Sequence, residues 1–345
     1  MVELGFRLVT GQADGQARPA WYTLEIGRDP ADRGGHVILR EQCRLELAGN
    51  REKSFQLTPD GFESTLAPGE KAERMVLPSR GQTDRLLLPL ASVLGLFPSM
   101  ESALLDMAFY DFTSAALRAV DDGAPRRTRL GEDGSHIGHV LGLMAEEHPS
   151  SKELLDGQMR AVVPGILGVD ERREGDFSAL QARFWTGESS NPLPYWEAVN
   201  SGRVRAGDPH VAVFHHQQLS EGTVRAAGVL TALAQPDALS GAVPFLSVEE
   251  PELAVHPSRV AAIFEAAHST SQSTQVLLTT QSSDLLDDEY VRPEHLRMVE
   301  MVNGVTYVGG LDARMTAALT ERPSLLPELH RKQQLKPLQL TASIR

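Results

Sequence analysis

Hydrophobic positions change their spacing along this chain. From Glu3 to about Leu57, apolar residues alternate with polar ones in ELGFRLV, AWYTLEI and HVILREQCRLEL, with polar, Gly-rich turns between them. That period of two predicts an antiparallel, β-rich lobe. From about Asp84 to Arg160, the stretches LLLPLASVLGLF, SALLDMAFYDF, HIGHVLGLM and KELLDGQMRAVV space Leu, Met, Val and Ala at helical intervals, which predicts packed helices forming an insertion or lid. Between Gly175 and Asp208, Gly, Ser, Pro and Trp mix without a sustained period, the pattern of a surface connection. From Val211 onward strand and helix alternate: HVAVFHH, a helix near Ser220 to Leu233, AVPFLSV, a helix near Pro257 to Ala267, and TQVLLTT. Apolar residues run continuously through these strands, which predicts cover on both faces and hence a parallel sheet. The expected fold class is α/β, closed by a short helix after Gly310 and a tail in which Arg331, Lys332, Lys336 and Arg345 face one acid, Glu328.

Composition narrows the classes. With 345 residues, 41% hydrophobic and 23% charged, the chain has material for about two domains and a real core. Its formal charge of −13 argues against a protein that coats nucleic acid through positive charge alone. The single cysteine, Cys43, excludes an internal disulfide and a cysteine-based zinc site, and fits a reducing compartment. No apolar run approaches the roughly 20 residues that span a bilayer, and the amino terminus lacks a basic start followed by an apolar stretch. A cytoplasmic protein without a membrane partner is expected.

The candidate chemistry lies in the last third. In VPFLSVEEPELAVHP, Val243 to Pro257, an apolar strand ends in adjacent carboxylates, Glu249 and Glu250, followed by Glu252. Ligands in open α/β sheets sit at the carboxyl ends of strands, and paired carboxylates there need a cation to offset desolvation and repulsion. Magnesium accompanying a nucleotide fits. The next strand, TQVLLTTQSSDLL, brings Thr280, Gln281 and Ser282 to the same edge. Upstream, in LSEGTVRAAGVLTAL, Ser220 is a good N-cap and Gly222 permits close approach to free N-H groups, a terminus suited to phosphate. Each piece alone has a plain structural reading: a cap, a turn after a strand, a solvated acidic turn. Their order and spacing carry the inference.

At these residues the chain resembles the ABC-type ATPase heads of the RecF, SMC and OLD group, the AAA-family ATP-binding proteins. LSEGT, Leu219 to Thr223, resembles the signature loop; FLSVEE the Walker B strand; ELAVHP, Glu252 to Pro257, the D-loop; and TTQS the switch loop. YDF, Tyr110 to Phe112, and LGEDGSHIGHVL, Leu130 to Leu141, resemble segments of the insertion in such heads. The resemblance implies a P-loop NTPase core whose parallel sheet is flanked by helices, with a β-rich lobe at 1–83, a helical insertion and connection at 84–208, the carboxyl half of the nucleotide core at 209–310, and a basic tail at 311–345. It further implies ATP and magnesium as ligands, a second head as partner, and DNA or an effector protein as the object acted upon. Glu249 would hold magnesium, Glu250 would act as general base, and Gln281 would sense the γ-phosphate. Ser220, Glu221, Gly222 and Thr223 would meet nucleotide held by the partner head.

Two departures stand out. The family usually has histidine where this chain has Gln281, whose amide donates a hydrogen bond but cannot become cationic. None of the five lysines, Lys53, Lys71, Lys152, Lys332 and Lys336, follows a glycine, so the sequence holds no Gly-Lys-Ser/Thr phosphate loop. The expectation is a head whose loop was lost from the start of the chain or is supplied by another polypeptide. The alternative is a non-hydrolysing subunit that lends its signature loop to a complete ATPase. Other residues read more plainly. His136 and His139, three apart on a helix, could ligate a metal, but no third ligand is evident in the sequence. His256 is expected to cap a helix, Met107 to Phe112 to lie in the core, and Arg126, Arg127 and Arg129 to form a solvated face rather than a phosphate contact.

Overall fold

A computed structural model describes residues 2–11, 17–28, 35–48, 51–58, 61–65, 73–75, 85–122, 126–187, 210–288 and 290–338. They fall into two compact units, Met1–Met107 and Ala108–Arg345.

The first unit is an antiparallel sheet in simple meander order: β1 (Val2–Gly11), β2 (Ala17–Arg28), β3 (His36–Leu47), β4 (Arg51–Thr58), β5 (Gly61–Thr65) and β6 (Glu73–Met75). The alternation in AWYTLEI and HVILREQCRLEL turns Ala20, Tyr22, Leu24, Cys43 and Leu45 to one face. Leu88 and Ala91 from helix α1 (Leu88–Val93) and Met100 from α2 (Pro98–Leu105) share that cluster with Phe55 and Phe97. A buried carboxylate fixes the start of α1: Glu41 accepts from the Leu87 and Leu88 amides at 2.6 and 2.8 Å and from the Tyr22 hydroxyl at 3.0 Å. Satisfying two otherwise orphaned amides of a helix start makes a charge tolerable inside.

The second unit has a three-stranded parallel sheet in the order β12–β11–β7, built from β7 (Ala108–Tyr110), β11 (Phe245–Glu249) and β12 (Gln275–Thr279). One face carries Tyr110, Leu246, Val248, Val276 and Leu278 into the main core. Helices α4 (Ile137–Glu147), α5 (Pro149–Val162), α6 (Glu221–Ala234) and α8 (Val260–Thr270) contribute to the same core, with α3 (Ser114–Leu117) and α7 (Pro236–Ser240) between them. The other face is open: Phe109 is 51% and Leu277 42% exposed. The continuous apolar runs anticipate two covered faces, and the described residues cover one.

Beside it lies an antiparallel sheet ordered β10–β9–β8, from β8 (Ile166–Glu174), β9 (Phe177–Trp185) and β10 (Val211–His215). Here the structure corrects three sequence readings. HVAVFHH does not join the parallel sheet; it pairs antiparallel with β9, Val211 opposite Trp185, as an edge strand whose Val213 and Phe214 remain partly exposed. The segment after Gly175 is no mere connection at its start, because Leu180 and Ala182 alternate inward along β9; residues 188–209 lie outside the described residues. SALLDMAFYDF is helical only to Leu105, and its AFY is a strand of the parallel sheet, too short to show a period.

A hairpin unforeseen in the sequence, β13 (Met298–Val302) and β14 (Val305–Gly309), turns at Asn303-Gly304 with φ of 52° and 78°. Helices α9 (Ala313–Glu321) and α10 (Leu326–Arg331) close the fold over Leu319, Leu326 and Leu335. Among the described residues, no helix is long and apolar enough to cross a membrane.

Candidate functional site

Parallel pairing sets Glu249 of β11 opposite Thr279 of β12, so the two strands end level. Past that point the chain turns sharply. Glu250 takes φ +41°, a conformation L-residues rarely adopt, while its amide donates to the Thr279 carbonyl at 3.0 Å. The turn leaves Glu249 exposed and Glu250 half-buried. Across the gap, Gln281 Nε2 donates to Glu250 Oε1 at 2.9 Å. Residues 31 apart in sequence therefore meet through the side chains expected to work together.

Thr280 Oγ1 donates to Glu252 Oε1 and accepts from the Ser282 amide at 2.9 Å, tying the two loops together again. Glu252 Oε2 is buried without a partner. Glu249 makes no side-chain hydrogen bond or ion pair among the described residues. Glu249 thus ends β11 as an exposed carboxylate, an oxygen donor of the type that magnesium takes.

The third expected component is the tip of α6. Ser220 caps it, its Oγ accepting from the Thr223 amide at 3.1 Å and lying 2.8 Å from Thr223 Oγ1. Ser220 and Glu221 are exposed, Gly222 is half-buried, and Thr223 is buried with its hydroxyl engaged by the cap. Gly222 is needed for packing: a Cβ there would lie 2.3 Å from the carbonyl oxygen of Ala254, itself at φ +65°. The signature-like loop thus rests against the stretch that follows Glu250. Direct side-chain contact joins Glu250 to Gln281; Ser220 through Thr223 reach this edge through the backbone of residues 251–254.

Sequence reasoning missed the residues that shape the approach to α6. Arg118 donates to the His216 carbonyl and, at 2.9 Å, to that of Leu219, and it pairs with Glu221 at 3.8 Å. Ser114 donates to the same glutamate. Nothing local marks Arg118, whose partners lie about a hundred positions away. His216 is buried, and desolvation, followed by the positive charge of Arg172, holds its pKa below the ordinary value.

Other candidates resolve structurally. His256 accepts from the Ser258 amide at 3.3 Å as a cap. Tyr110 and Phe112 are core residues, whereas Phe109 is exposed. Arg126 is committed to Glu146 and Glu171, each at 2.6 Å, and Arg129 to Asp237 at 2.7 Å. In the tail, Lys332 pairs with Glu328 and Lys336 with Glu300.

Residues 89–288 match the family model described as "AAA domain, putative AbiEii toxin, Type IV TA system". The chain belongs to this AAA-domain family. The matched span includes the parallel sheet, both strand-end carboxylates, Gln281 and the α6 tip. No curated protein matches the chain.

Solved structures similar to the AAA domain include an SMC ATPase studied for ATP-driven dimerization and DNA-stimulated activation. It shares 13% identity, covering 53% of this chain and 95% of that one, with TM-score 0.33. An SMC head bound to the C-winged-helix domain of ScpA shares 11% identity over 88% and 78% of the two chains, at 0.41. An SMC head domain from Thermotoga maritima shares 10% over 87% and 76%, at 0.32. At these scores the likeness carries no argument about activity.

Proposed function

We propose that this AAA domain hydrolyses ATP as one of two heads that close around magnesium and nucleotide, with Glu250 as general base. The observation that carries the proposal is the Gln281–Glu250 hydrogen bond at the level ends of adjacent parallel strands. A carboxylate there can take the proton of an attacking water. With Oε1 occupied by Gln281, Oε2 is the oxygen left for that proton, and the Gln281 amide fixes the carboxylate's orientation. Glu249, unpartnered and exposed, would hold magnesium, directly or through water. Magnesium would supply neutralisation of charge building on the phosphate oxygens. Ser220 and Gly222, at the reachable tip of α6, would meet nucleotide carried by the opposite head, with Glu221 and Thr223 fixing that tip through Arg118 and the cap. The family description names a toxin of a toxin–antitoxin system; genome defence or DNA repair is the setting proposed, with DNA or an effector protein moved by opening and closing of the heads.

A second reading draws on a separate observation. None of the five lysines follows a glycine, so no phosphate-cradling loop is encoded in this sequence. That favours a subunit which lends its α6 tip to a complete ATPase and does not itself turn over. The open apolar face of the parallel sheet, with Phe109 and Leu277 exposed, is where a loop-bearing segment from elsewhere would pack.

One experiment separates the readings. The chain, expressed together with the coding sequence adjoining it and with any loop-bearing head encoded beside it, is assayed for ATP turnover against Glu250→Gln. Loss of at least about a hundredfold is expected, the lower end of what a general base contributes. Undiminished turnover removes Glu250 from its role and leaves the adaptor reading.

A further inference from the structure

We propose that Asp121, His136 and His139 form a binding site for a divalent transition-metal ion, of which zinc is the best match. The proposal is independent of the nucleotide chemistry. A ligand atom from each of the three side chains lies within 4.8 Å of the other two. His136 Nδ1 is 2.8 Å from Asp121 Oδ1. Two donors bound to one zinc at its usual bond length of about 2 Å stand roughly 3.3 Å apart in a tetrahedral shell, so this hydrogen-bonded pair needs to part by only about half an ångström to take an ion. His139 is 3% exposed, and its ring lies parallel to that of His136 with centroids 6.3 Å apart. Two imidazoles and one carboxylate suit zinc and its neighbours far better than magnesium or calcium, which prefer all-oxygen shells.

The three donors are held by rigid structure. Asp121 forms an isolated bridge with Ser178 of β9, exchanging both backbone bonds at 2.8 and 3.0 Å. Ser178 and Ala179 also press on α4: a Cβ on Gly138 would lie 2.4 Å from Ser178 Oγ and 2.8 Å from the Ala179 nitrogen. The same point of β9 therefore fixes both the carboxylate and the helix that carries His139 and is preceded by His136. Ile137, Val140 and Leu141 anchor that helix in the core.

His136 precedes α4 in the left-handed conformation, φ +68°, with no side-chain capping bond to account for it. This uncommon backbone state is offset by what its ring gains at Asp121. The interactions an ion would replace are the His136–Asp121 contact and a long 3.4 Å approach of the Arg127 amide to His139 Nδ1.

Three protein ligands leave a coordination position for water or an external group. The ion would also tie down the loop ahead of α4. Carbonyls of Glu132 and Asp133 in that loop accept from the Asp111 and Thr113 amides, at 2.9 and 3.0 Å, just past β7. The same loop is thus hydrogen-bonded to the segment that follows β7.

The test uses the whole chain without an affinity tag, stripped with a chelator. It is titrated with cobalt(II), read by visible absorption, and with zinc, read by calorimetry. One ion per chain is expected, with cobalt displaced by zinc. His136→Gln and Asp121→Asn, each checked for folding by circular dichroism, are expected to weaken binding by at least tenfold, since even outer-shell partners of a metal site are worth about 10–100-fold. His148→Gln, away from the cluster, is expected to leave it unchanged. Absence of saturable binding to the wild-type chain, or binding unaltered in both folded ligand variants, overturns the proposal.

Discussion

Gly222 shows how a residue chosen for one reason in sequence can serve another in the fold. Read from the chain, it offers close approach to a phosphate; in the structure its missing side chain admits the Ala254 carbonyl, and both groups are main chain. Gly222→Ala is therefore expected to lower stability by roughly 1–3 kcal/mol in urea unfolding, the usual cost of overpacking. A variant as stable as the parent would show that the 251–254 turn yields freely. The places of Glu250, Gln281 and Ser220 in the fold were legible one by one, because each type suits its position: a carboxylate just past a strand end, an amide just past the end of the next strand, a hydroxyl at a helix start. The third metal donor was not legible. Asp121 sits 15 residues before His136, and only its bridge to β9 brings it there.

Elements with long, unbroken periods could be read directly. α4, α5 and α6 follow the spacing in HIGHVLGLM, KELLDGQMRAVV and LSEGTVRAAGVLTAL, and β11 and β12 end where their acid and amide motifs begin. β7 escaped because three residues, Ala108–Tyr110, show no period. β10 was read as a strand but assigned to the wrong sheet, because a short apolar run looks the same at an antiparallel edge as in a buried sheet. The Asn303-Gly304 hairpin did carry a local signal, since that dipeptide favours the left-handed pair of residues found there.

The first sheet yields a sharp expectation. Cys43 on β3 faces Tyr22 and Phe55 across the ladder and is fully buried. Burial, reinforced by the Glu41 carboxylate, pushes its thiol up to about 12. At pH 8 only about one molecule in ten thousand then carries the reactive thiolate. Iodoacetamide is expected to leave the folded protein unlabelled and to modify one thiol per chain in denaturing urea. Labelling of the native protein at the rate of a free cysteine would contradict the packing of β3.

Over the whole molecule, the two units have separate cores. The antiparallel sheet of the first carries none of the candidate catalytic groups, while the second brings Glu249, Glu250 and Gln281 to one edge and has a sheet face that the described residues leave uncovered. On the proposed function, the acids, the amide and the helix tip would be one part of a nucleotide site.

The most direct measurement is a crystal structure of the chain assembled with its loop-bearing partner, magnesium and a non-hydrolysable ATP analogue. The expected result places the γ-phosphate within one bridging water of both Glu250 and Gln281, roughly 6 Å, with Glu249 on the magnesium side. A γ-phosphate bound with neither side chain within reach, or nucleotide bound away from the ends of β11 and β12, would contradict the assignment.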